Sequence, residues 1–142
     1  MSPLESRAWL SLWGMCPPYC IYFALQIAAP AWLTTTPGRF ICLAAAAGVH
    51  ALVCLTGLVV LVRRERGHGL LADERDRAIE AHATRIAYYA LMVGTVLVGM
   101  VMPFSRGGWQ IVNGALLAIV LAEALRNALI VRGYRGTPRL AQ

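Results

Sequence analysis

Two short groups of residues carry atoms that could do chemistry. The first is "MCPPYC", Met15 to Cys20, where two thiols four residues apart bracket a proline pair. The second is His50 with Cys54, again four apart. On a helix each pair shares one face. Three thiols and an imidazole suit Zn²⁺ or a softer ion, so Cys16, Cys20, His50 and Cys54 form a candidate metal site. The thiols could also serve redox exchange, although "CPPYC" is C-x-x-x-C and not the C-x-x-C of thioredoxin-like motifs. The plainer reading is packing. Cysteine is a small core hydrophobe, and Pro17 and Pro18 remove backbone donors, so a helix must bend or begin there. We expect the proline pair to be the reason for the stretch, with no cofactor, and keep a soft metal ion as the alternative.

Depth counting bears on this choice. In a straight helix from Ala8, Cys16 lies about 12 Å in and Cys20 about 18 Å in. Counting back from Arg63, Cys54 lies about 13 Å in and His50 about 19 Å in. Two antiparallel helices would then pair Cys16 with Cys54 and Cys20 with His50. If Pro17 is instead the first helical residue, Ser6 to Cys16 becomes an interfacial helix and the thiols lie too shallow to match.

The other chemical group is Glu123, the one carboxylate well inside an apolar run. Arg126 follows at i+3 and Asn127 at i+4, both on its face. Counting from Arg132 puts Glu123 about 13 Å from the inner boundary. Ionisable residues at such depth face a bundle interior or a water path. A local Glu123–Arg126 pair that fixes packing is the plainer expectation; ion coupling in a small transporter or channel is the alternative. Asn113 and His50 complete the intramembrane polar set.

The elements that must position these residues follow from the apolar runs. The chain is 142 residues, 58% hydrophobic and only 14% charged, against about 25% charge in a soluble domain. Four runs are long enough to cross a ~30 Å hydrocarbon layer: 8–33, 40–62, 86–104 and 109–131. No period-2 alternation points to a barrel. We therefore expect an all-α fold, a single integral membrane domain, built as a four-transmembrane-helix bundle. Residues 63–85 form a cytoplasmic loop and helix start, so that helix 3 extends into the cytoplasm, and 132–142 form a tail. The nearly neutral "MSPLESR" and the long, proline-broken first run argue against a cleaved signal peptide.

All 13 cationic residues are arginine. Arg7, Arg63, Arg64, Arg66, Arg75, Arg77, Arg85, Arg132, Arg135 and Arg139 flank one side of the runs; Arg39 and Arg106 flank the other. The positive-inside rule puts both termini and the central loop in the cytoplasm. Trp32 and Trp109 suit the outer interface, Trp9 and Trp13 the inner. Because the arginines flank apolar runs and form no single stripe, the net charge of +6 implies membrane lipid as the partner and no direct nucleic acid. The outer links "TTTPGR" and "SRGG" are short, which makes helices 1–2 and 3–4 neighbours. Ala44 with Gly48, and Thr95 with Gly99, have the small-residue spacing that permits close helix approach, within a bundle or between copies.

The central segment "DERDRAIEAHATRIAYY" begins with Asp73 as a candidate N-cap and acids in the first turn. Asp73–Arg77, Glu74–Arg77 and Arg77–Glu80 stand at ion-pair spacing, while Ile79, Ala83 and Ile86 share a face. One helix is expected from about Asp73 to Met102. This segment resembles a D-E-R-[DE]-x-x-I motif that precedes a transmembrane helix in uncharacterised small bacterial multi-pass membrane proteins, grouped as domains of unknown function. The resemblance covers Asp73 to Tyr89. It implies a bacterial inner-membrane protein with a regulatory partner, since members are often encoded beside helix-turn-helix regulators, and it brings no catalytic residues. Asp73, Glu74, Arg75, Asp76, Arg77 and Glu80 are the candidate docking surface for a cytoplasmic protein or a second copy. The combined reading is a non-enzymatic, self-associating regulatory or partner-binding membrane protein.

Overall fold

The computed structural model describes residues 3–28, 30–65 and 74–135. These are helical almost throughout, with no strand among them. The chain divides into two compact units, Met1–Leu70 and Leu71–Gln142. Each described part is an antiparallel pair of long helices.

In the first unit α1 spans Pro3–Ala28 and α2 spans Thr36–Glu65. The α1 helix runs without interruption through Pro17 and Pro18. It starts at Pro3, and the alternative of a helix opening at Pro17 is set aside. The prolines still cost α1 the bonds that the carbonyls of Trp13 and Gly14 would accept from residues 17 and 18. The first apolar run does not stay α-helical to Leu33. Pro30 stands after α1, with extended backbone, and caps a 3-10 turn over Ala31–Thr34. Thr35 then starts α2: its hydroxyl accepts from the Gly38 amide at 3.3 Å, an N-cap. Gly38 has no room for a side chain, because a Cβ would run into the Trp32 carbonyl. Arg39 Nε donates to the Leu33 carbonyl at 3.0 Å and closes the corner over buried Leu33.

The α1–α2 contact is apolar. Gly14 of α1 sits against Val53 and Cys54, and Gly57 of α2 against Leu10. Tyr22 is 1% exposed, the most buried large side chain of this unit. Tyr19 meets His50 edge-on, with ring centroids 5.6 Å apart.

In the second unit α3 spans Glu74–Val96 and α4 spans Gly108–Arg135. Helical turns continue α3 as a π segment over Leu97–Val101 and a 3-10 turn over Met102–Phe104. Pro103 lacks an amide to offer the helix, so the last turns widen and then stop. The expected helix from Asp73 to Met102 agrees closely; Asp73 itself lies outside the described residues. The shared face predicted for Ile79, Ala83 and Ile86 packs on α4: Ala83 is 1% exposed and Ile79 lies against Gly133. Farther along, Gly94 meets Ala118, and Gly114 meets Met102 and Val98.

Among the described residues three stretches are long and apolar enough to cross a membrane: Thr36–Arg63, Glu74–Phe104 and Gly108–Arg135. The α1 helix falls short of that apolar character because Pro17, Pro18, Gln26 and its tyrosines and tryptophans dilute the aliphatic residues. The apolar windows of the first two stretches are each only 6% buried within the structure. Their side chains are outward-facing hydrophobes such as Leu52, Val93 and Met100. Such surfaces need a lipid or protein cover. Hydroxyls on these helices bond back to their own chain, Thr56 to the Leu52 carbonyl at 2.7 Å and Thr95 to Leu91 at 2.8 Å, which satisfies them where water is excluded.

Candidate functional site

The polar chemistry of the described residues concentrates at one end of the α3–α4 hairpin. Arg126 is its centre. Its Nη2 donates to Glu80 Oε1 at 2.9 Å and its Nε to Thr84 Oγ1 at 3.1 Å. Glu123, the partner expected from sequence, is only a distant neighbour: its Oε2 is 3.9 Å from Arg126 Nη1. The guanidinium reaches across to α3 because the i+3 geometry along one helix leaves the Glu123 carboxylate beside the guanidinium, while Glu80 and Thr84 stand in front of it. Asn127 does share this region, but it is 5% exposed and its amide donates to the Glu123 backbone carbonyl at 2.8 Å, not to the carboxylate. Asn113 is half-buried nearer the other end of α4.

About two turns farther along α4, and about one turn back along α3, the Tyr134 hydroxyl donates to Asp76 Oδ1. Arg75 stacks over the same ring, 5.8 Å from its centroid, a cation–π contact. Of the predicted docking residues, Asp76 and Glu80 are thus spent on holding α4. Among the described residues Arg77 forms no ion pair with Glu74 or Glu80, Glu80 pairing with Arg126 instead, and Asp73 lies outside the described residues. Glu74, Arg75 and Arg77 remain on the exposed surface. Sequence reasoning named both Glu80 and Arg126 but did not join them. The available signal was the turn between the two helices: folding the chain about Ser105–Gly108 sets Arg126 near Ala87, one turn from Thr84.

Beside this tie lies an open hollow of about 640 Å³. Arg77, Glu80, Thr84, Arg85, Tyr88 and Arg126 line it. One carboxylate faces three guanidiniums, and Glu80 is already paired with Arg126.

The thiol and imidazole groups behave differently. The expected depth match between α1 and α2 holds to within a residue or two, but the faces do not converge. Cys54 Sγ looks onto Gly14, 3.2 Å from where a Cβ there would stand, and His50 meets Tyr19. Cys20 is exposed and Cys16 half-buried. All four cysteines are free thiols. Among the described residues no group of three or more His, Cys, Asp or Glu side chains is placed to hold a metal ion. The proline pair instead lines an apolar groove of about 300 Å³ with Tyr22, Cys42 and Ala46.

Comparison of the chain with models of protein families, with curated proteins and with solved structures finds no match.

Proposed function

We propose that this chain is a small inner-membrane protein of four spans, α1 included, with both termini in the cytoplasm, acting without catalysis as a self-associating, partner-binding regulatory protein. The observation that carries this reading is the uneven distribution of polar and small residues. Charge gathers at the α3–α4 end that the arginine asymmetry assigns to the cytoplasm, where Glu74, Arg75 and Arg77 stay outward for a partner. The remaining faces are apolar and carry uncovered small positions. Nothing within 4 Å would meet a Cβ at Gly48 or Gly99, so the Ala44–Gly48 and Thr95–Gly99 stripes are open within their own hairpins, as close helix association requires. The likeness of Asp73–Tyr89 to the motif of small bacterial membrane proteins supports a regulatory partner and the extension of α3 into the cytoplasm.

The test uses copies carrying donor or acceptor fluorophores, reconstituted together in vesicles. Energy transfer should rise with protein-to-lipid ratio beyond the random-collision level and fall for Gly48→Leu and Gly99→Leu. Random-collision transfer at every ratio would end the self-association reading. Reporter fusions after Gln142 and within Gly67–Gly69 should both read cytoplasmic; a periplasmic signal from either would overturn the orientation.

One observation favours a second reading, ion coupling at Glu123. Its side chain keeps 50% exposure and its nearest cation stands beyond hydrogen-bond distance, so the carboxylate is chemically available.

A further inference from the structure

The hollow beside the Glu80–Arg126 tie has a charge that its own residues leave unbalanced. Arg126 is neutralised by Glu80 at 2.9 Å. Arg77 and Arg85 line the same space, and no ion pair engages either of them among the described residues. Even with Glu123 counted, 3.9 Å from the Arg126 guanidinium, three positive groups face two negative ones. The Thr84 hydroxyl accepts from Arg126 Nε at 3.1 Å, which leaves its own proton to donate. The Tyr88 phenol adds a second hydroxyl.

The hollow also sits at a chemical boundary. From Ile86 to Phe104 the chain carries no charge, while the preceding turns of α3 carry many. The stripe that starts at Arg77 and passes Arg85 and Tyr88 continues at helical spacing to Met92 and Val96, which are 47% and 48% exposed. A ligand that fits the whole stripe has an anionic head and an apolar tail. We propose that this hollow binds the headgroup of an anionic phospholipid, its phosphate between Arg77 and Arg85, hydroxyls of Thr84 and Tyr88 at the glycerol level, and its acyl chains along Met92 and Val96. Guanidiniums suit phosphate because their donors form a planar fork. The apolar continuation is what selects a lipid over a free phosphate. This inference rests on the membrane reading given above.

The full-length protein, inserted in nanodiscs of equal dioleoyl phosphatidylglycerol and dioleoyl phosphatidylcholine, tests it. Native mass spectrometry after release reads which lipid stays bound. Each unpaired arginine near a membrane surface favours an anionic lipid about five-fold, so two should give enrichment on the order of 25-fold. Arg77→Gln with Arg85→Gln should bring the ratio near one, the single variants should fall between, and Arg106→Gln should leave it unchanged. Wild type binding both lipids at the mixing ratio, or a double variant that keeps the enrichment, would overturn the proposal. Complete displacement of the lipid by millimolar glycerol 3-phosphate would show a free-anion site and overturn the lipid assignment. A chain released from membranes by alkaline extraction would remove the membrane reading as well; stable insertion without enrichment defeats this inference alone.

Discussion

The two hairpins solve the same problem with different forces. In α1–α2 the helices are joined by shape: Gly14 on Val53 and Cys54, Leu10 on Gly57, and Tyr22 sealed between them. In α3–α4 the far end is joined by shape, through Gly94 on Ala118 and Gly114 on Met102, but the near end is joined by charge and hydrogen bonds at Arg126 and Tyr134. Apolar packing is indifferent to depth, whereas charged ties are affordable only near water. On the proposed membrane reading the ties at Arg126 and Tyr134 lie at the water-facing end of the second hairpin; in the first hairpin the corresponding polar contact is Arg39 Nε on the Leu33 carbonyl at its corner.

The largest loss should come from emptying the shape-based contact. Tyr22→Ala removes a ring that is 1% exposed, and truncation of a buried aromatic costs roughly 3–5 kcal/mol. Reversible unfolding in mild detergent should show a drop of at least roughly 3 kcal/mol that is insensitive to salt. A loss under about 1 kcal/mol would mean that the α1–α2 gap closes on its own and that shape does not hold this hairpin.

A smaller loss should follow from Arg126→Ala. It leaves the Glu80 carboxylate unpaired, but the partners keep 30% and 46% side-chain exposure, so about 1–2 kcal/mol is expected, between surface and buried pairs. A double-mutant cycle with Glu80→Ala should return a coupling of about 1 kcal/mol, and high salt should shrink it. A cycle of Arg126→Ala with Glu123→Ala should return close to zero. Equal coupling in both cycles would restore the local pair and break the contrast drawn between the hairpins.

This pair also shows what could be read from the chain alone. The helix spans were legible because an apolar run of about 20 residues has few alternatives. The first helix was overextended to Leu33 because composition sees apolar residues, while Pro30 acts on backbone donors. Arg126 was assigned to Glu123 because sequence exposes i+3 neighbours directly and cross-helix neighbours only through register. Glu80, 46 positions away, needed the Ser105–Gly108 turn as a reference point. The Cys16, Cys20, Cys54 and His50 set was legible in depth but not in rotation: a residue's height along a helix follows from counting, while its azimuth depends on which face the partner helix accepts, and Gly14 and Tyr19 took that face.

The proline stretch should give a smaller effect still, and an asymmetric one. Cys20 is exposed, so Cys20→Ala and Cys16→Ser should each change stability by less than about 1 kcal/mol. Pro17→Ala with Pro18→Ala should alter how α1 seats on Cys42 and Ala46 of α2 and so lower stability or assembly more than either cysteine change. Metal content of the purified protein decides the competing idea. Stoichiometric metal that disappears in the Cys16/Cys20 double variant would show that the thiols, and not the prolines, give the stretch its role.

The smallest structural effect is expected at Glu123, which makes that residue the sharpest probe of function. Its carboxylate is half exposed and lies 3.9 Å from Arg126, and Asn127 engages its backbone carbonyl, which any side chain would leave in place. Glu123→Gln should therefore shift stability by no more than about 0.5 kcal/mol. A functional deficit in this variant then cannot be blamed on misfolding. If Glu123 couples ions, proton or cation flux into vesicles containing wild-type protein should be measurable and should vanish in the Gln variant at unchanged stability. If the protein is a non-transporting partner binder, wild type and variant should both leave every imposed gradient intact, while the energy transfer between copies persists in both. Wild-type flux that survives Glu123→Gln would defeat the coupling role of this residue and the non-transporting reading together, and would direct the search for a pathway to the other polar groups of α4, Asn113 first.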